Sequence, residues 1–254
     1  MNNRMILTPF FLDQAVPALE DVAGEDWWSN KPQLPQGEAQ QRMTDLYRPL
    51  AEMVLTAINA GERPVSVAGD CCTTIAVLAG LQQAQMNPTL IWFDAHGDFN
   101  TWETTPSGFL GGMPLAMLVG LGELTMGQAL GLTSLPQPQV ILTDARDLDP
   151  GERLNVQRSS INHLADVMLL LDFPLPAGPL YIHFDADVIN NAEAPAMSYP
   201  TSGGPSVADL GRVFDRLADS GQIAAVSLSA WNPALDQDGR SREAVMGLLD
   251  RLIS

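Results

Sequence analysis

Six short apolar runs punctuate the chain, each ending in a polar or glycine-rich corner, and stretches of helical spacing lie between them. The runs are MILTPF (5–10), PVSVAGD (64–70), TLIWFDAH (89–96), VILTDARD (140–147), LYIHFDAD (180–187) and IAAVSLSAWNP (223–233). Unbroken apolarity over so few residues suits strands covered on both faces, as parallel strands are. Apolar residues return every three to four positions in residues 37–61, 73–85, 113–123, 206–220 and 241–254, as on helices with one buried face. This alternation predicts an α/β fold, a mostly parallel central sheet with helices on both faces. No fixed-period repeat, low-complexity segment or linker interrupts it, so one domain over residues 1–254 is expected. The proline-rich stretches near 31–36, 136–138 and 174–179 read as loops.

With 46% hydrophobic and 17% charged residues, 254 residues are enough to bury a large core. A formal net charge of −17 repels phosphate backbones and anionic lipid, which argues against nucleic acid and membrane partners. The N-terminal stretch has no charged leader followed by a long apolar run, and a cytoplasmic location is expected. Cys71 and Cys72 are the only cysteines; as sequence neighbours they do not suit disulfide geometry, so both are expected as reduced thiols.

Acids gather where strands end. WFDAHGDFN carries Asp94, His96 and Asp98, which strand alternation puts on one side, and HFDADV adds Asp185 and Asp187. A lone Asp at such a place commonly caps a helix. Four aspartates and a histidine converging must instead protonate or bind cations, and the side-chain types are those of metal ligands. Two divalent ions resolve the conflict.

DAHGDFNT and HFDADVINNAEAPA, with the GDC corner at 69–71, resemble the arginase and agmatinase family of ureohydrolases, dinuclear manganese enzymes of three-layer α/β/α fold. The resemblance runs from about residue 65 to 233. It implies one metal held by Asp94, His96, Asp185 and Asp187. The other would share Asp94 and Asp185, add Asp98, and take its last ligand from the position after GD, where most members have histidine and this chain has Cys71. A thiolate there favours zinc, cobalt or iron more than an all-oxygen-and-imidazole site does, manganese being the family's metal. The alternative for Cys71 is a small buried residue filling a vacated pocket. Cys72 is expected to pack.

In the arginase branch, the loop matching NTWETTPSGFLGGMP binds an α-carboxylate through positions that align with Asn100, Thr105 and Ser107, and the segment matching RDLDPGER receives an α-amino group at Asp149 and Glu152. Two departures stand out. A proton-shuttle histidine falls on Gly111, and a guanidinium-binding glutamate falls on Ala230. The cleaved group is therefore expected to be less cationic than a guanidinium, since no carboxylate pairs with it there. His183, ahead of Asp185, is a candidate to replace the missing proton carrier, and Asp98 is expected to handle the water's proton. His163 has no motif context.

The expected activity is hydrolysis of a C–N bond in a guanidino-type amino-acid derivative, N-hydroxy-L-arginine or an L-arginine-like molecule, with release of urea or a urea-like product. Alternatives are a formimino or amide hydrolase and a non-catalytic metal- or ligand-binding relative. Family members commonly assemble as trimers or hexamers, which leaves homo-oligomer and monomer both open.

Overall fold

A computed structural model describes all residues, 1–254. β1 (Asn2–Thr8) leads into a small hairpin of β2 (Phe10–Phe11) and β3 (Gln14–Ala15), then the edge strand β4 (Trp28–Ser29). The long helix α1 (Ala39–Asn59) precedes β5 (Glu62–Ala68), α2 (Thr74–Gln83) and β6 (Thr89–His96). Two short helices, α3 (Pro114–Leu118) and α4 (Thr125–Ala129), come before β7 (Val140–Asp147), α5 (Pro150–Arg158) and β8 (Asn162–Leu164). The chain closes with β9 (Leu180–Asp185), α6 (Val207–Asp219), β10 (Ile223–Ser229) and α7 (Arg240–Ile253).

Eight strands form one sheet in the order β4-β1-β5-β10-β9-β6-β7-β8, every neighbouring pair parallel. Pleating sends successive side chains to opposite faces. Leu90 and Trp92 join the core under α1 and α2, whereas Ile91 and Phe93 join the core under α6 and α7. Helix α6 shows why it docks: Leu210, Val213, Phe214 and Leu217 form one buried stripe, and the Ser206 hydroxyl caps its start by accepting from Asp209 N. The Phe214 ring packs edge-on against Phe93 and Phe184, at 4.9 and 5.1 Å between centroids. The result is the three-layer α/β/α architecture expected from the alternation.

Two local expectations change. The helix predicted over 113–123 stops at Leu118, because Gly120 and Gly122 turn into left-handed conformations with φ of 85° and 66°. Strand alternation does not carry Asp98 to the site, since β6 ends at His96 and Asp98 sits in the following loop with φ 50°. The register between β6 and β7 also slips, from Asp94 opposite Asp144 to His96 opposite Asp147, where Asp144 and Ala145 both have positive φ. Because all eight strands run one way, the ends of β5, β6, β7, β9 and β10 share a single edge, where ligands collect in open α/β sheets.

Candidate metal centre

The corner after β5 is built to present Cys71. Gly69 has room for no side chain: a Cβ there would lie 2.5 Å from the Phe10 carbonyl oxygen, which accepts from Gly69 N at 2.9 Å. Asp70 then pins both sides of the turn, accepting from Leu12 N at 2.7 Å and from Cys72 N at 2.8 Å. Burial pushes its carboxyl up to about 6 although those backbone donors pull it down. With Asp70 held, Cys71 turns its thiol toward β9, donating to Asp185 Oδ2 at 2.6 Å and standing 3.2 Å from the Ser229 hydroxyl. Cys72 points away into the core, near the Leu110 carbonyl, and packs as expected.

Two groups of potential ligand atoms stand at the sheet edge, each with all its members within 4.8 Å of one another. One contains Cys71, Asp94, His183 and Asp185; the other contains Asp94, His96 and Asp187. They share Asp94. Five of the six residues expected as metal ligands from the sequence thus fall into these groups, with Asp185 in the first and Asp187 in the second. The sixth, Asp98, lines the same cavity, and its buried Oδ2 has no hydrogen-bond partner.

The remaining oxygens are locked in place by the protein. Asp94 accepts from the indole N–H of Trp92 at 2.9 Å and from His96 N at 2.7 Å. Asp185 accepts from Asp187 N at 2.8 Å, and Asp187 accepts from Ala95 N at 3.2 Å. His96 Nδ1 faces Asp187 at 3.1 Å and Asp94 at 3.4 Å, while its Nε2 lies 3.2 Å from the Thr201 hydroxyl. A ring anchored on one nitrogen, with the other turned to carboxylates, is oriented as metal-bound imidazoles are.

Without cations these groups are electrostatically frustrated. Burial, then repulsion from Asp94 and neighbouring aspartates, pushes the Asp98, Asp185 and Asp187 carboxyls up. The Cys71 thiol rises for the same reasons. Burial alone pulls the His96 imidazole down, yet hydrogen bonds and charge from Asp187 and Asp94 outweigh it and push its pKa up to about 12. No lysine or arginine lines the cavity to neutralise the acids. The orphaned Asp98 oxygen and the donor set of carboxylates, imidazole and thiol fit two divalent ions.

Above this floor lies a cavity of about 190 Å³, and every residue expected to bind substrate lines it: Asn100, Thr105, Ser107, Asp149 and Glu152. Their side chains also hold the rim together. Asn100 donates to Asp149 Oδ2 at 3.0 Å. The Thr105 and Ser107 hydroxyls accept from Gly108 N and Phe109 N in tight turns. Asp149 caps α5, and Glu152 closes the capping box while also accepting from Phe99 N at 2.8 Å. With both Glu152 oxygens occupied by backbone, this residue ties α5 to the loop after β6, and burial pushes its carboxyl up to about 7.

The two departures have structural counterparts. A Cβ at Gly111 would lie 2.4 and 2.5 Å from ring atoms of Phe109, whose ring therefore occupies the space that a side chain there would need. Phe109 groups with Phe11 and Tyr199 along the cavity wall, at 6.2 and 5.2 Å between centroids. Ala230, with φ 65°, also lines the cavity and brings no charge. His183 is fully buried and does not line the cavity, so it lacks the route to substrate that a proton carrier needs. Its Nδ1 lies 2.8 Å from the Ser227 hydroxyl and its ring packs on Trp92. Burial pulls its pKa down to about 3.

Sequence reasoning missed the Trp92 donor, the Phe11 and Tyr199 walls, and Arg146. The guanidinium of Arg146 pairs with Asp144 and donates to the carbonyls of Asp187, Val188, Thr201 and Ser202, holding the segment that brings Thr201 to His96. No local motif marks any of these.

Known proteins share this arrangement of chain and fold. The Arginase family matches residues 20–254. Arginase from Bacillus subtilis (strain 168) is 31% identical over 216 residues, which cover 80% of this chain and 73% of that protein. N(omega)-hydroxy-L-arginine amidinohydrolase from Streptomyces lavendulae is 31% identical over 203 residues, 78% of this chain and 71% of that protein. The crystal structure of arginase from Bacillus subtilis superposes with a TM-score of 0.84 at 26% identity, covering 100% of this chain and 99% of that one. With the family match spanning nearly the whole chain and a metal-type ligand set at the sheet edge, this protein belongs to the arginase family of metal-dependent amidinohydrolases, enzymes that hydrolyse guanidino compounds.

Proposed function

We propose that the protein hydrolyses the C–N bond of N-hydroxy-L-arginine or a closely related guanidino amino acid, in preference to L-arginine. The observation that carries this is the pairing of two ligand groups sharing Asp94 with a cavity wall that holds Ala230 and a phenyl ring over Gly111. A guanidinium finds no carboxylate at Ala230 for a bidentate contact. An N-hydroxyguanidine is less basic and loses less by that absence. The relative named for N(omega)-hydroxy-L-arginine supports the same substrate class.

Cys71, Asp94, His96, Asp98, Asp185 and Asp187 would hold two divalent ions, manganese as in the family or zinc or cobalt because of the thiol. Bound there, the ions would supply Lewis acidity and bring a water's pKa toward neutrality. Asn100, Thr105, Ser107 and Asp149 orient the amino-acid end at the rim, with Glu152 holding the loop and helix that carry them. Water oxygen bonds to the guanidino carbon, and the bond from that carbon to the side-chain nitrogen breaks. Asp98, which lines the cavity and has a buried oxygen without a hydrogen-bond partner, takes the proton lost by the water and returns it to the leaving amine. The products are the amine and urea, or N-hydroxyurea from the hydroxylated substrate.

The same proposal has residues 1–254 working as one catalytic unit on small molecules in the cytoplasm. The net charge of −17 disfavours nucleic acid, and no helix is long and apolar enough to cross a membrane. The test is urea and hydroxyurea release from N-hydroxy-L-arginine, L-arginine and agmatine in parallel, with protein reconstituted with manganese, zinc or cobalt. Turnover of N-hydroxy-L-arginine above the other two is expected. Two bound metals with no turnover of any of the three would overturn the substrate class.

A further inference from the structure

Cysteine at position 71 leaves the first ligand group without the imidazole that most members place there. The same group contains an imidazole from another strand. We propose that His183 is a metal ligand through Nε2, so that one ion is held by Cys71, Asp94, Asp185 and His183. This rests on the reading above that the centre holds two ions.

Geometry supports it in three ways. First, the four ligand atoms lie within 4.8 Å of one another and all four residues are buried. Zinc-type bonds of about 2.0–2.3 Å in a tetrahedron put ligand atoms roughly 3.3–3.8 Å apart, so a group held within 4.8 Å closes on an ion by moving its atoms inward by about 1 Å or less. Second, His183 is anchored by its other nitrogen. Nδ1 lies 2.8 Å from the Ser227 hydroxyl, which lies 2.8 Å from the Tyr181 hydroxyl. Donation from Nδ1–H to Ser227 leaves the Nε2 lone pair directed to the side of Ser229, whose hydroxyl stands 3.5 Å from Nε2, 3.2 Å from Cys71 Sγ and 3.3 Å from Asp185 Oδ2. Anchoring of this kind fixes tautomer and direction in metal-bound histidines. Third, Trp92 serves two members of the group at once, donating to Asp94 and packing against the His183 ring with 3.9 Å between centroids.

The assignment also accounts for Asp98. Its Oδ2 is buried without a partner in the same cavity, and Asp98 belongs to neither tight group. With His183 completing a four-donor set of one sulfur, one nitrogen and two oxygens, Asp98 gives up the ligand role it has in the reading above and keeps only the proton-transfer role. The set is of the type zinc favours over manganese.

X-ray absorption at the zinc edge of the unmodified protein, stripped with chelator and reloaded to saturation, tests this without any substitution. Of the three histidines, His163 belongs to neither group and lies 3.1 Å from the Asp144 carbonyl oxygen. His96 and His183 on two ions therefore average one imidazole per zinc; His96 alone averages half, and that result would overturn the proposal. Metal titration of variants gives a second reading. His183→Ser is expected to keep one ion and weaken the other by on the order of 10- to 100-fold or more. The double change Cys71→His with His183→Ser, which moves the imidazole back to the β5 corner, should recover it. Unchanged affinity for both ions in His183→Ser would sink the assignment. A wild type that takes up fewer than two ions would instead overturn the two-metal reading, and this proposal with it.

Discussion

The indole N–H of Trp92 donates to Asp94 Oδ2 at 2.9 Å, two residues along the same strand, and both side chains are buried. Asp94 is the one residue common to both ligand groups, so this bond holds the hinge of the centre. Trp92→Phe keeps most of the ring and removes the donor. A buried carboxylate that loses a charge-assisted hydrogen bond costs about 1.5–3 kcal/mol. Metal affinity should fall by roughly 10- to 100-fold, as for other lost supports of metal ligands. Urea denaturation of the metal-free protein and metal titration, run side by side, check both numbers.

Sharing predicts unequal losses. Asp94→Asn should abolish binding of both ions, whereas His96→Gln, which touches only the second group, should leave one. Elemental analysis after dialysis distinguishes the cases. Equal loss in both variants would mean that the two groups do not act as separate sites.

Glu152, at the start of α5, makes a pH prediction. Burial raises its pKa to about 7 in the folded protein, above the ordinary glutamate value of 4.5, so the folded protein keeps a proton that the unfolded chain releases between those values. The sign follows: this stability is fully present below 4.5 and is lost as pH rises through 7. At about 1.4 kcal/mol per pKa unit, the loss is on the order of 3 kcal/mol. Glu152→Gln cannot titrate, so the stability of wild type relative to this variant should decline by that amount from pH 4.5 to 7 in the metal-free protein. Parallel denaturation curves over that range show it.

Ala230 already carries a Cβ at φ 65°, so Ala230→Glu adds no new class of backbone strain. It does add a carboxylate facing the cavity. A charge-assisted contact of about 1.5–3 kcal/mol predicts that kcat/KM for L-arginine rises about 10- to 100-fold relative to N-hydroxy-L-arginine. An unchanged ratio would mean that the missing carboxylate does not set substrate preference.

The layers of this fold and most of its candidate metal ligands are readable from local sequence because each sits in a short contiguous signal: an apolar run, then its terminal acids. The role of His183 is not, because its neighbours are cross-strand. It stands opposite Trp92 on β6 and opposite Ser227 on β10, and only the strand order brings those residues beside it. Asp98 reaches the cavity through a left-handed loop residue that strand alternation cannot anticipate. The wall formed by Phe11, Phe109 and Tyr199 joins three separate segments, each unremarkable by itself.

Family similarity begins at residue 20, yet the Cys71 corner is gripped by what precedes it. The Phe10 carbonyl lies against Gly69 and the Leu12 amide binds Asp70. The family match therefore stops short of the working portion, although the likeness to the solved arginase runs over the whole chain. A protein trimmed to the boundary of that match would keep every candidate ligand residue but lose β1, which pairs with β5 along its whole length, together with the clasp that aims Cys71, leaving Asp70 without one of its two backbone partners.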